Sequence, residues 1–173
     1  MRSAMMLAAH KLRAPLPSIA CTPSRLSQRS FVARSAMQFV GPGSEKLRET
    51  SCEGACSRET PLVEFSRLPE LMTALPAWRL NDTSTVLTRT FTAKNFMAAI
   101  RFFNKLAEVA EAQGHHPDIH LRNYREVEVN VTTHAAGGLT MFDFVLCSKI
   151  DVIDVEYSPK WLQSMLPKGD PAT

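Results

Sequence analysis

The stretch "REVEVNVTTH", residues 125–134, sets Val127, Val129 and Val131 on one parity and Glu126, Glu128, Asn130 and Thr132 on the other. Branched apolar residues alternating strictly with polar ones describe a strand with one face in a core and the other in water. A strand solvated on one side belongs to an antiparallel sheet, so partners are sought on both sides of it. Upstream, "DIHLRNY" (118–124) is a short extended piece, and before that lies the clearest helix. Thr92 serves as its expected N-cap, and Phe96, Ile100, Phe103, Ala107 and Ala110 recur at steps of three and four. Gly114 supplies the left-handed residue after the last turn and Pro117 the stop. Further back, "AWRLN", "DTS" and "TVLTRTFT" (77–92) form a hairpin, with Leu87, Arg89 and Phe91 opposite in parity to Val86, Thr88 and Thr90. "VEFSRLPELMTAL" (63–75) has helical spacing broken by Pro69 and closed by Pro76. After "AAGG", a last helix sets Leu139, Phe142, Leu146, Ile150 and Ile153 on one face. The order implies a single α+β domain: a four-stranded antiparallel sheet with about three helices packed on one face.

Charge divides the chain unevenly. Residues 1–44 hold six Lys/Arg and no Asp or Glu, and the remainder carries 14 basic against 17 acidic residues, a net of −3. An Arg-, Ser- and Ala-rich, acid-free opening without a compact apolar run has the composition of an organelle transit peptide, mitochondrial by preference and plastid as the alternative. Residues 45–60 read as a linker, 61–165 as the folded domain and 166–173 as a tail. The acidic body has no basic stripe with which to neutralise phosphates, which argues against nucleic acid as a partner. No apolar run approaches the roughly 20 residues of a membrane span. Among the cysteines, Cys147 fits a buried thiol in an apolar helix, and Cys52 with Cys56 makes a lone C-x3-C, two ligands short of a structural zinc site.

Three of the five histidines fall within "EAQGHHPDIHLRNY" (111–124). His115 and His116 follow the C-terminal end of the long helix, where unpaired carbonyls favour a protonated ring. Glu111 lies one turn back and can hold an imidazole in place. His134 ends the alternating strand on its outward parity. Each residue also has an ordinary explanation: a helix-terminal histidine as a cap, an exposed strand end, and Thr140 with Asp143 as a capping box. A zinc site from His115, His116 and His120 would need a fourth ligand, and Pro117 breaks the helical face between them.

The ordered set decides between these readings. "E-A-Q-G-H-H-P" at 111–117, Tyr124, His134 in "T-T-H-A-A-G-G-L" and Asp143, preceded by "W-R-L" at Trp78, resembles the signature of the pterin-4a-carbinolamine dehydratases. The resemblance covers roughly residues 60–160. It implies an enzyme that removes water from a 4a-hydroxytetrahydropterin, recycling a pterin cofactor for a hydroxylase, with neither metal nor organic cofactor. It further implies His115 and His134 as the acid/base pair, His116 as chiefly a binding residue, Glu111 and Asp143 as orienting carboxylates, and Pro117 and Tyr124 as substrate contacts. Which imidazole is acid and which base stays open. Members of the family join as dimers or tetramers, so a homo-oligomer is expected, with a sheet edge as one interface. The competing class is a noncatalytic dehydratase-like assembly factor or dimerisation cofactor; a metal-binding module is the third.

Overall fold

The computed structural model describes residues 39–52 and 57–165. In chain order these form α1 (Ser44–Arg48), a 3-10 turn (Phe65–Arg67), α2 (Leu68–Thr73), β1 (Arg79–Leu80), β2 (Leu87–Thr92), α3 (Phe96–Gln113), β3 (Asp118–Arg122), β4 (Glu126–Val131), a second 3-10 turn (His134–Ala136), α4 (Met141–Ile150) and α5 (Pro159–Met165). No helix among the described residues is long and apolar enough to cross a membrane.

The sheet is four-stranded and antiparallel in the order β1-β2-β4-β3. The period of two in the sequence is the period of burial. Leu87, Arg89 and Phe91 of β2 and Val127, Val129 and Val131 of β4 are buried on one face. The opposite face presents Thr88 and Thr90 beside Glu128 and Asn130 of β4 and Asp118, His120 and Arg122 of β3. Helix α3 covers the buried face, with Phe102 edge-on to Phe91 at 5.0 Å between ring centroids. Helix α4 is buried along most of its length in the same core, with α1 packed against it.

Several sequence expectations shift. Strand β2 continues through Thr92, which pairs with Glu126, so the cap of α3 passes to Asn95, whose Oδ1 accepts from the Ala98 amide at 2.9 Å. The face that α3 buries is Ala98, Ala99, Phe102, Leu106 and Ala110, shared with the expected stripe only at Ala110. Two interleaved stripes have helical spacing here, and the one carrying small Ala98 and Ala99 lets the helix approach the sheet closely. Phe96 stays 48% exposed. Pro69 lies in the first turn of α2 rather than breaking a helix, because an N–H there has no intrahelical acceptor to lose. Helix α4 ends at Ile150, and Phe142 is only half-buried, while Phe144, Val145 and Cys147 are buried.

The segment 45–60 is not merely a linker. Leu47 and Cys52 belong to the core, and the Cys52 amide donates to Gln113 of α3. The fold starts earlier still: Phe39 meets Tyr157 and Trp161 edge-on at 5.9 Å each. Gly41 lies so close to α2 that a Cβ there would sit 2.0 Å from the Thr73 carbonyl oxygen. Phe39 and Gly41, within the segment 1–44, thus pack against the folded body. The rest of that segment, residues 1–38, lies outside the described residues, as do Cys56 and the 166–173 tail.

One buried polar network crosses the core. Arg89 donates to Asp151 Oδ1 at 2.9 Å and to the Tyr157 hydroxyl at 2.7 Å, and the Trp78 indole N–H donates to the same Asp151 oxygen at 2.9 Å. Burial pushes the Asp151 carboxyl up to about 6, outweighing the opposing pull of Arg89 and Trp78. The folded protein thus keeps this proton to higher pH than the unfolded chain, so the contribution of Asp151 to stability falls as pH rises from about 4 to 6. Its full size is about 3 kcal/mol at most. In urea titrations, the stability of wild type minus that of Asp151→Asn is expected to fall by up to that amount between pH 4 and 7. A difference that stays flat with pH contradicts this assignment.

Candidate active site

Helix α3 ends in a Schellman turn: Gly114 adopts φ 60°, and the His115 amide donates to the Ala110 carbonyl at 3.2 Å. This fixes where the chain leaves the helix. The His115 ring is driven inward, with 1% of its surface exposed, and the next residue is driven outward. Inside, His115 Nε2 lies 2.9 Å from Asp143 Oδ1. The second carboxylate oxygen of Asp143 accepts from the Thr133 hydroxyl at 2.9 Å and from the Thr140 amide at 2.7 Å, with the Thr140 hydroxyl 3.1 Å away. The capping box read at Thr140 and Asp143 is present, and the same carboxylate that completes it also meets His115.

The same carboxylate sets the third histidine indirectly. Thr133 is the residue before His134 and is itself buried between Thr140 and Asp143. A 3-10 turn follows, closed by Gly137 at φ 74° and by the Thr133–Gly138 bridge, which turns the chain sharply at the end of β4. His134 projects from this turn with its side chain 69% exposed.

Each histidine of the trio has its own carboxylate. Besides Asp143 with His115, Glu111 lies 3.0 Å from His116 Nε2, both side chains exposed, and Asp118 lies 3.4 Å from His134 Nε2. Glu111 therefore orients His116, not His115. Asp118 was missed in the sequence because it follows Pro117 as the opening residue of a strand, and its closeness to His134 arises only when β3 pairs with β4. The available signal was parity: two residues beyond His116, it faces outward opposite Asn130.

His134 and Asp118 line one side of a cavity of about 470 Å3, whose other walls include Asn81, Thr88, Asn130 and Thr132. Pro117 is half-buried between His116 and β3. Tyr124, expected as a substrate contact, sits instead in the β3–β4 turn, where Asn123 and Tyr124 both take positive φ (45° and 57°). The length of β4 separates it from His134, about 20 Å for a six-residue strand. Within one chain it does not join the histidines. Among the described residues, no group of three or more His, Cys, Asp or Glu side chains is placed to share a metal ion. His120 stands apart from His115, exposed on β3.

Comparison with known proteins extends beyond these positions. A family model described as pterin 4 alpha carbinolamine dehydratase matches residues 61–153, just over half of the chain. The chain is 42% identical over 112 residues to an Arabidopsis thaliana protein named pterin-4-alpha-carbinolamine dehydratase 2, mitochondrial; the match covers 64% of this chain and 60% of that one. The crystal structure of a transcriptional coactivator/pterin dehydratase from Brucella melitensis superposes with a TM-score of 0.51 at 31% identity, covering 54% of this chain and 99% of that one. The match thus runs through the sheet and the helices that hold the histidines, well past a local motif, and the chain belongs to the pterin 4 alpha carbinolamine dehydratase family.

Proposed function

We propose that the chain eliminates water from a 4a-hydroxytetrahydropterin to give the quinonoid dihydropterin. The observation that carries this reading is the pairing of three histidines with three separate carboxylates, at 2.9, 3.0 and 3.4 Å. The elimination breaks the C4a–O bond while a ring nitrogen loses its proton and forms a C=N bond. One proton must reach the departing hydroxyl and one must leave the ring, so the protein needs an acid and a base but no net proton. Imidazoles serve both purposes near neutral pH.

In this reading His134 exchanges a proton directly at the cavity, and His115 is its counterpart. His115 takes this role from the family resemblance, and its ring is buried and held in direction by Asp143. His116, held by Glu111 and followed by rigid Pro117, binds substrate. Replacing both His115 and His134 by Ala is expected to lower turnover of synthetic 4a-hydroxytetrahydropterin in stopped flow by about 10²-fold or more. Asp143→Asn is expected to lower kcat with little change in KM. His134→Ala alone alters an exposed residue and separates loss of chemistry from loss of fold. A folded double variant with near-native turnover defeats this assignment.

Two further parts of the proposal concern assembly and address. Strand β3 is an open edge of five residues, and its Ile119 is 42% exposed. An edge of this kind invites pairing with a second chain, so we expect at least a homodimer. Light scattering at micromolar concentration that finds only monomer contradicts it. The acid-free composition of residues 1–38 and the word mitochondrial in the name of the Arabidopsis relative both favour a mitochondrial address. A reporter fused behind residues 1–38 is expected in mitochondria; diffuse cytosolic signal rejects the address, and plastid signal corrects it.

A further inference from the structure

The outward face of the sheet carries a side-chain relay that the proton transfers above do not use. Arg122 of β3 donates to Glu128 Oε2 at 3.2 Å, and Asn130 Nδ2 donates to Glu128 Oε1 at 3.0 Å. Thr88 of β2 donates its hydroxyl to Asn130 Oδ1 at 2.7 Å. A carboxylate can only accept, so Glu128 leaves the Asn130 amide one orientation, with its carbonyl oxygen toward Thr88 and the cavity beside His134. The two hydroxyls of that cavity are committed as well. Thr88 uses its proton on Asn130, and Thr132 uses its own on the Thr85 carbonyl at 2.8 Å.

What these groups can still offer is lone pairs. Asn130 Oδ1, Thr88 Oγ1 and Thr132 Oγ1, with Asp118 beside Asn130 on the neighbouring strand, make an acceptor-rich wall next to the imidazole of His134. Such a wall matches N–H and O–H groups and disfavours carbonyl or phosphate oxygens, which would meet lone pairs with lone pairs. Asn81 shapes the rim without competing, because its own amide is spent on its loop: Oδ1 accepts from the Thr85 and Val86 amides, and Nδ2 donates to Thr83 and Thr85.

We propose that this cavity is the subsite that recognises the donor-rich part of the substrate, and that Asn130, oriented by Glu128, is its specificity-determining residue. The proposal rests on the dehydration reading, since His134 opens on the same cavity. Two parts of a reduced pterin present donors: the amino and N–H edge of the ring, and a hydroxylated substituent. The test measures dissociation constants by calorimetry for 7,8-dihydrobiopterin, which has the hydroxylated chain, and 6-methyl-7,8-dihydropterin, which lacks it.

Loss of one hydrogen bond is worth between about 2-fold and 10-fold in affinity. Asn130→Leu is expected to weaken both ligands by that factor if the ring edge occupies the wall, and only the first if the side chain does. Glu128→Gln, at a residue outside the cavity lining, frees the Asn130 amide to turn and is expected to weaken binding in the same direction by about 2-fold. Thr88→Val repeats the measurement should Asn130→Leu lose its melting transition. Unchanged or tighter binding of both ligands by folded variants overturns the subsite while leaving dehydration standing, provided wild type turns over. Wild type that binds neither pterin overturns both.

Discussion

A single carboxylate, that of Asp143, joins three elements that the chain reaches at widely separated points. One oxygen meets His115 just past the end of α3, and the other gathers Thr133 at the end of β4 and Thr140 at the start of α4. Asp143 is fully buried, and a carboxyl group so placed is tolerated only because hydrogen-bond partners surround it. The dependence runs both ways. Removing any one partner leaves the buried group less satisfied, so the helix terminus, the strand terminus and the helix start are held to one mutual geometry. The path of the chain past Thr133, and hence the starting point of His134, is a consequence of that arrangement.

The two faces of the sheet divide the remaining work. The inner face is closed by α3 and α4 and tolerates one charged intrusion, Arg89, because Asp151 and Tyr157 meet its guanidinium. The outer face is left to side chains that bond mainly to each other across strands. Buried contacts there would have consumed the donors and acceptors that a polar ligand needs. The same alternation that builds the core therefore leaves a polar surface beside the histidines, and the two cannot be altered independently, since a slip of one residue in β4 would exchange Val129 for Asn130.

Sequence reading succeeded where local physics decides alone. Strict alternation made β4 certain, Gly114 was the sole residue suited to left-handed backbone after a long helix, and Thr140 with Asp143 announced a helix start. It failed where tertiary contacts choose between equal local options. Helix α3 has two apolar stripes of the right period, and only the demand for close approach to the sheet selects the one with Ala98 and Ala99. Thr92 and Asn95 can both cap a helix, and pairing with Glu126 takes Thr92 into the strand. Leu47 and Cys52 lie in a polar stretch whose burial depends on α4 and α3 being present. In the candidate site, the family resemblance singled out the histidines and Asp143, whereas the closeness of Asp118 to His134 required strand pairing, and Tyr124 lies a strand's length from His134 because the β3–β4 turn stands at the far end of that hairpin.

The three carboxylate–imidazole pairs differ in what they can do, and their surroundings decide how. Exposed pairs such as Glu111 with His116 and Asp118 with His134 are worth about 0 to 1 kcal/mol, because water and salt screen them and the side chains lose freedom in making them. Another hydrogen-bonding group can replace either carboxylate at little cost. The pair between Asp143 and His115 has no such freedom, since both side chains are buried and separating them would leave a buried polar group one hydrogen bond short. The buried pair therefore holds the end of α3 to the start of α4, whereas the two exposed imidazoles have partners that water and other hydrogen-bonding groups can replace.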